Sequence, residues 1–143
     1  MIVVDANILL YAYDPSDRRH AAAAAWLEGT LGGTEQVGLA VSVVLAFIRI
    51  ATDPRVHEPP MSIGTAIDVV GTWLDQPNVQ VMHPTIGHWR TLGDLAASGQ
   101  ALGPLVMDAH LATLTIEHGA TLATTDRDFR RFPGLRTVDP TAP

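Results

Sequence analysis

Cysteine is missing from all 143 residues, which excludes disulfides and thiolate metal sites and leaves oxygen or imidazole as the available metal ligands. Lysine is missing too, so every one of the 9 basic residues is an arginine. No apolar run approaches the ~20 residues that a bilayer-spanning helix needs. The N-terminus lacks the basic start of a secretory signal, and Asp5 and Asn7 interrupt its apolar stretch, so a cytoplasmic protein without a membrane partner is expected. The formal net charge of -6 argues against nucleic-acid binding driven by bulk charge. It leaves room for a local arginine groove, which Arg18 with Arg19, or Arg127 with Arg130 and Arg131, would supply.

What is present begins with Met1-Ile2-Val3-Val4-Asp5-Ala6-Asn7. Consecutive large apolar residues without alternation mark a strand buried on both faces, as in the middle of a parallel sheet. A carboxylate and an amide follow at its carboxyl end, the edge where open α/β sheets bind ligands. Asp5 is also a fitting N-cap for a helix through Ala6 to Ala12, and the sequence leaves both roles open. Beyond the turn at Asp14 to Asp17, Ser16 or Asp17 is placed to cap a helix through Arg18 to Leu27, with a loop from Gly29 to Gln36.

Val37 to Ala40 is the second expected strand. Ser42 is expected to cap a helix with the stripe Val43, Ala46, Phe47 and Ile50, ending before Pro54. Ser62 caps a helix to Gln76 that turns Ile67, Val70, Trp73 and Leu74 inward. Val79 to Met82 is a third strand. Helices follow over Ile86 to Ser98, burying Trp89, Leu92 and Leu95 or Ala96, and from Pro104 to Gly119. Thr121 to Thr124 makes a fourth strand, Asp126 to Phe132 a short helical turn, and Leu135 to Val138 a last strand. Alternating strands and helices predict one α/β domain over residues 1–138, a parallel sheet covered on both sides, with a flexible tail over 139–143.

In a parallel sheet all strand carboxyl ends share an edge, so Asp5 and Asp126 open to one crevice if their strands are neighbours. Asp108 lies early in the helix before the fourth strand among apolar residues, and burying it unpaired is costly. Each has a local alternative, since Asp126 can cap the turn that follows, Asp128 can sit in its first turn, and Asp108 can favour its helix N-terminus. Together they make a set that a divalent cation would stabilise, and oxygen donors without sulfur suit Mg²⁺ or Mn²⁺. Such an ion promotes phosphodiester hydrolysis. The six histidines (His20, His57, His83, His88, His110, His118) are scattered and are taken as surface or packing residues.

Val3-Val4-Asp5-Ala6-Asn7-Ile8-Leu9-Leu10-Tyr11-Ala12, Asp108-Ala109-His110-Leu111-Ala112 and Ala123-Thr124-Thr125-Asp126-Arg127-Asp128-Phe129, in this order and spacing, resemble a PIN-domain ribonuclease, and more closely the VapC toxins of type II toxin–antitoxin systems. Phe47 to Val56 and Phe132 to Leu135 extend the resemblance along the chain. It implies a three-layer α/β/α sandwich with a mostly parallel sheet, Mg²⁺- or Mn²⁺-dependent endoribonuclease cleavage of structured RNA of the tRNA or rRNA class, a homodimer, and neutralisation by a VapB-type antitoxin. It also implies that Asp5, Asp108 and Asp126 are the catalytic and metal-binding acids, with Asn7, Thr124, Thr125 and Asp128 as secondary groups. Arg18, Arg19, Arg127 and Arg130 are the RNA-binding candidates. One position departs from the family pattern: Phe47 stands where a glutamate is expected, and no acid lies between Gln36 and Asp53. That suggests a rival of another class, an RNA- or partner-binding module that has lost catalysis. A phospho-aspartate enzyme or receiver using Asp5 is disfavoured, because Asn7 replaces a second aspartate and the chain has no lysine.

Overall fold

The computed structural model describes residues 1–143. Its centre is β1 (Ile2–Val4), whose Val3 and Val4 are wholly buried because neighbours flank it on both sides. The other strands are β2 (Val37–Ala40), β3 (Val79–Met82), β4 (Thr121–Ala123) and β5 (Thr137–Val138), and all pair in parallel in the order β3-β2-β1-β4-β5. Ile2 stands opposite Val37 on one side and Thr121 on the other, and Val4 opposite Ala123.

The helices are α1 (Ala6–Ala12), α2 (His20–Leu31), α3 (Val41–Ala51), α4 (Ile63–Leu74), α5 (His88–Ser98) and α6 (Leu105–Glu117), with a short 3₁₀ helix over Arg127–Arg131. Right-handed crossovers place α1 to α4 on one face as the chain steps from β1 to β3. The return to β4 carries α5 and α6 across the other face. Packing follows that division, with α1 against α2 and α3, α3 against α4, and α5 against α6. The result is a three-layer α/β/α sandwich. β1 has β2 on one side and β4 on the other, so the direction of winding reverses at β1, and a crevice opens at the carboxyl ends there.

Several local expectations give way to packing. The N-cap position of α3 is Ala40, fully buried at the end of β2, and Ser42 lies inside the helix rather than capping it. The strand runs directly into α3, leaving no residue for a side-chain cap. Helix α2 starts at His20, because Asp17 accepts from the Arg19 backbone N–H at 2.8 Å and holds the preceding turn outside the helix. That helix continues through Gly29 to Leu31, past the expected break.

On α4, Val70 and Trp73 are buried, whereas Ile67 and Leu74 are exposed. On α5 the inward aromatic is not Trp89, which is 83% exposed, but the neighbouring His88. The His88 imidazole is satisfied on both sides, with Nδ1 2.8 Å from Glu117 Oε2 and Nε2 3.0 Å from His110 Nδ1. It ties α5 to α6 as a polar packing group. Gly119 closes α6 at φ +62, a left-handed conformation that a Cβ would strain.

Candidate active site

At the carboxyl edge of the sheet, Asp5 performs two tasks with its two oxygens. Its backbone is extended, so the residue stands at the N-cap of α1, and Oδ1 accepts from the Ala6 N–H at 2.7 Å. Its Oδ2 accepts from the Thr124 hydroxyl at 2.7 Å. Thr124 follows β4 and is buried. The same hydroxyl oxygen accepts from the Asp126 backbone N–H at 3.0 Å and from Asn7 Nδ2 at 3.3 Å. One buried threonine thus joins the exits of two strands whose residues lie 119 positions apart. Tyr11 Oη and Thr125 Oγ1, 3.3 Å apart, add a second tie beside it.

Asp108 approaches from the first turn of α6, half-buried. Carboxylate oxygens of Asp108, Asp126 and Asp128 all lie within 4.8 Å of one another. Asp126 also accepts from the Asp128 backbone N–H at 2.8 Å, which fixes the turn that carries both acids. The electrostatics register this crowding. Burial, then the charges of Asp126, Asp5 and Asp128, push the Asp108 carboxyl up to about 6, and Arg131 opposes the rise. Burial raises Asp5 as well, with a smaller push from Asp126, against the hydrogen bonds from Thr124 and Ala6 that favour its charged form.

Arg131 is itself tied down. Nη1 donates to the Gly99 carbonyl at 2.8 Å, Nε donates to the Asp128 carbonyl at 3.2 Å, and Nη2 lies 3.8 Å from Asp128 Oδ1. Asn7, whose Nδ2 reaches Thr124, has its Oδ1 buried without a hydrogen-bond partner. Like charges held together in an all-oxygen donor set fit a hard divalent cation, which would relieve the repulsion among Asp108, Asp126 and Asp128.

Asp5 and Asp108 open into a cleft of about 710 Å³ between α3 and α6. Its walls are Val43, Leu45 and Ala46 on one side and Met107 and Leu111 on the other, with Ser42 and Arg49 on the α3 wall. Phe47 is absent from that wall. Its ring is wholly buried against Trp73 and Tyr13, with centroids 4.8 and 5.8 Å away. The α3 stripe that faces the acids is therefore Ser42, Ala46 and Arg49, and it carries no carboxylate. A separate cavity of about 500 Å³ lies beyond the far ends of α1 and α3, against Tyr13 and His57, and contains none of the four aspartates of the site.

Among the arginines singled out by sequence, Arg127 and Arg130 are exposed on the 3₁₀ helix that also carries Asp128. Arg18 is exposed at the start of the turn before α2, away from these acids in sequence. Arg19 is committed, bonded to Asp17 through Nε at 2.9 Å and Nη2 at 3.0 Å, and stacked 3.8 Å above the Tyr11 ring. Sequence reasoning missed Arg49 altogether and gave Arg131 no separate role. The helical spacing 42, 46, 49 signals the first once the facing side of α3 is known. For the second, the i,i+3 spacing to Asp128 is local, but the bond to Gly99 spans 32 residues and no window of sequence shows it.

Comparison with known proteins identifies the family. The family described as PIN domain matches residues 2–135. Ribonuclease VapC37 of Mycobacterium tuberculosis is 39% identical over 142 residues, covering 99% of each chain, and Ribonuclease VapC33 of the same species is 38% identical over 141 residues, covering 98% of each. Among solved structures, VapBC-1 from nontypeable Haemophilus influenzae superposes with a TM-score of 0.71 at 18% identity, over 99% of this chain and 100% of that one. The Mycobacterium tuberculosis VapC20 toxin, described as cleaving the sarcin-ricin loop, gives 0.68 at 17% identity, over 95% of this chain and 99% of that one. With a full-length family match, close relatives along the entire chain and a shared fold, the protein belongs to the PIN-domain family, in its VapC branch.

Proposed function

We propose that this protein is a divalent-metal-dependent endoribonuclease, the toxin of a VapBC-type toxin–antitoxin pair, acting on structured RNA of the tRNA or rRNA class. The observation that carries it is the convergence of Asp108, Asp126 and Asp128 within 4.8 Å, with Asp5 tethered to Asp126 through Thr124. Asp5, Asp108 and Asp126 would hold Mg²⁺ or Mn²⁺, with Asp128 as a further ligand and Asn7 and Thr125 lining the site. The ion, when bound, supplies Lewis-acid activation of water and charge neutralisation at the scissile phosphate. The protein's part is orientation: Thr124 holds one Asp5 oxygen, the α1 N-terminus holds the other, and the Asp126–Asp128 turn presents its acids as one unit.

The partner follows from the same electrostatics. An arginine side chain from a VapB-type antitoxin, entering the acidic cleft, would neutralise the carboxylates and displace the ion. The homodimer is carried by likeness to the VapC branch.

The test uses protein freed of antitoxin, with tRNA and rRNA in Mn²⁺ and in EDTA. Metal-dependent cleavage that Asp5→Ala abolishes is expected. Full activity in EDTA or in that variant overturns the assignment. Because the α3 wall carries no acid, RNA binding with no cleavage at any Mn²⁺ concentration would identify the binding module instead.

A further inference from the structure

α3, the helix on which the family pattern expects an acid, presents a base to the cleft two residues beyond that position. We propose that Arg49 grips a backbone phosphate of the RNA next to the one held at the aspartates, making it a positioning residue for substrate; this rests on the ribonuclease reading above. Arg49 shares the cleft with Asp5 and Asp108 and is the sole cation among its lining residues, the rest of which are apolar apart from Ser42.

Its guanidinium is free. No carboxylate lies within 4.0 Å of it, whereas Arg19 is bound by Asp17 and Arg131 by Gly99 and Asp128. The nearest acid along the chain, Asp53, already receives two bonds from the Arg55 side chain, at 3.1 and 2.9 Å, and the Arg49 charge is only the last of the influences that lower it.

Helix geometry sets the separation, since seven residues of α3 carry Arg49 about 10 Å beyond the level of Ser42. That suits a flanking phosphate and not the scissile one. A protein of net charge -6 repels RNA at long range, so a planar fork of donors inside the cleft is where a phosphate would be gripped. The cleft therefore has a direction, acids at one end and arginine at the other, and a strand lying in it is held at two points.

The experiment measures binding of a fluorescently labelled tRNA in EDTA, where no cleavage occurs, across salt from about 50 to 200 mM. Arg49→Ala is compared with Arg49→Lys and with Arg90→Ala on the exposed face of α5. Arg49→Ala is expected to raise Kd about tenfold and to lower the slope of log K against log salt by about one. Arg49→Lys keeps the slope and loses part of the affinity, because a point charge replaces a fork. Arg90→Ala changes neither. In Mn²⁺ the alanine variant should raise KM at constant kcat.

Unchanged Kd and slope in Arg49→Ala overturn the proposal, and so does a variant that loses only antitoxin affinity, which would make Arg49 a partner contact. Wild-type protein that binds tRNA but never cleaves it sinks the ribonuclease reading while the Arg49 effect on binding still stands. Wild-type protein that binds no RNA sinks both.

Discussion

Replacing Asp108 with Asn should stabilise the metal-free protein at neutral pH while removing its activity. Burial and three neighbouring carboxylates raise the Asp108 carboxyl from 3.8 to about 6. A pKa raised by folding means that the native state binds the proton more tightly than the unfolded chain. Stability therefore falls as pH climbs through the window from about 4 to about 6, and the full deficit persists above it. Two units correspond to ~3 kcal/mol. The group is half-buried, so solvent screening reduces this to about 1–1.5 kcal/mol. For a chain of 143 residues that amounts to about 3–5 °C in Tm. The asparagine amide copies the shape of the acid without its charge. Thermal melts by circular dichroism in EDTA should show the variant ahead at about pH 7.5 and level with wild type at about pH 4.5, where the native carboxyl is protonated. Saturating Mn²⁺ should reverse the order, since an ion at 100 times its Kd adds about 2.7 kcal/mol to a protein that binds it. An Asn variant that melts at or below wild type at neutral pH in EDTA, or a gap that ignores pH, refutes the reasoning.

Thr124→Val leaves Asp5 Oδ2 and the Asp126 N–H unpaired and should cost about 1–3 kcal/mol in urea denaturation, whereas Thr124→Ser, which keeps the hydroxyl, should remain near wild type. Asp126→Asn should abolish the Mn²⁺-induced rise in Tm, because it removes the charge of one of the three clustered carboxylates; an undiminished rise would remove Asp126 from the ligand set. Phe47→Glu places a carboxylate among Tyr13 and Trp73 in the core and should eliminate cooperative melting. Ala46→Glu, one residue earlier and facing the cleft, should fold and bind Mn²⁺ several-fold more tightly by calorimetry.

The contrast between Ala46 and Phe47 shows where sequence reasoning stopped. That Val37 to Ala40 is a strand and the next segment a helix follows from apolar patterning and the proline at 54, and both are present. Which side of that helix looks at Asp5 does not follow. Adjacent helical positions differ by about 100° in direction, and the choice depends on whether Tyr13 and Trp73, 34 and 26 residues away in sequence, gather at its back. They do, joined by a Trp73 Nε1 to Tyr13 Oη hydrogen bond of 3.0 Å. The same holds for His88 and Trp89, where Glu117 decides which of two neighbours is buried. Asp5 was legible because a strand end has only one direction. Thr124 stood out as a polar neighbour, but its hydroxyl as the junction between strands is a long-range fact that no window of sequence contains.

This division between rigid and variable parts bears on how the site works. Asp5 and Asp126 sit at strand ends around a threonine that satisfies three neighbours at once, so neither can shift without breaking a bond to Thr124. The α3 wall is different. Phe47 anchors its back in the aromatic cluster, and Ser42, Ala46 and Arg49 on its front make no side-chain hydrogen bond or ion pair within the protein. Substitutions there change the charge and shape of the cleft without disturbing the acids opposite. On the ribonuclease reading proposed above, a charge change at position 49 would therefore alter how the cleft holds a phosphate while Asp5, Thr124 and Asp126 keep their hydrogen bonds.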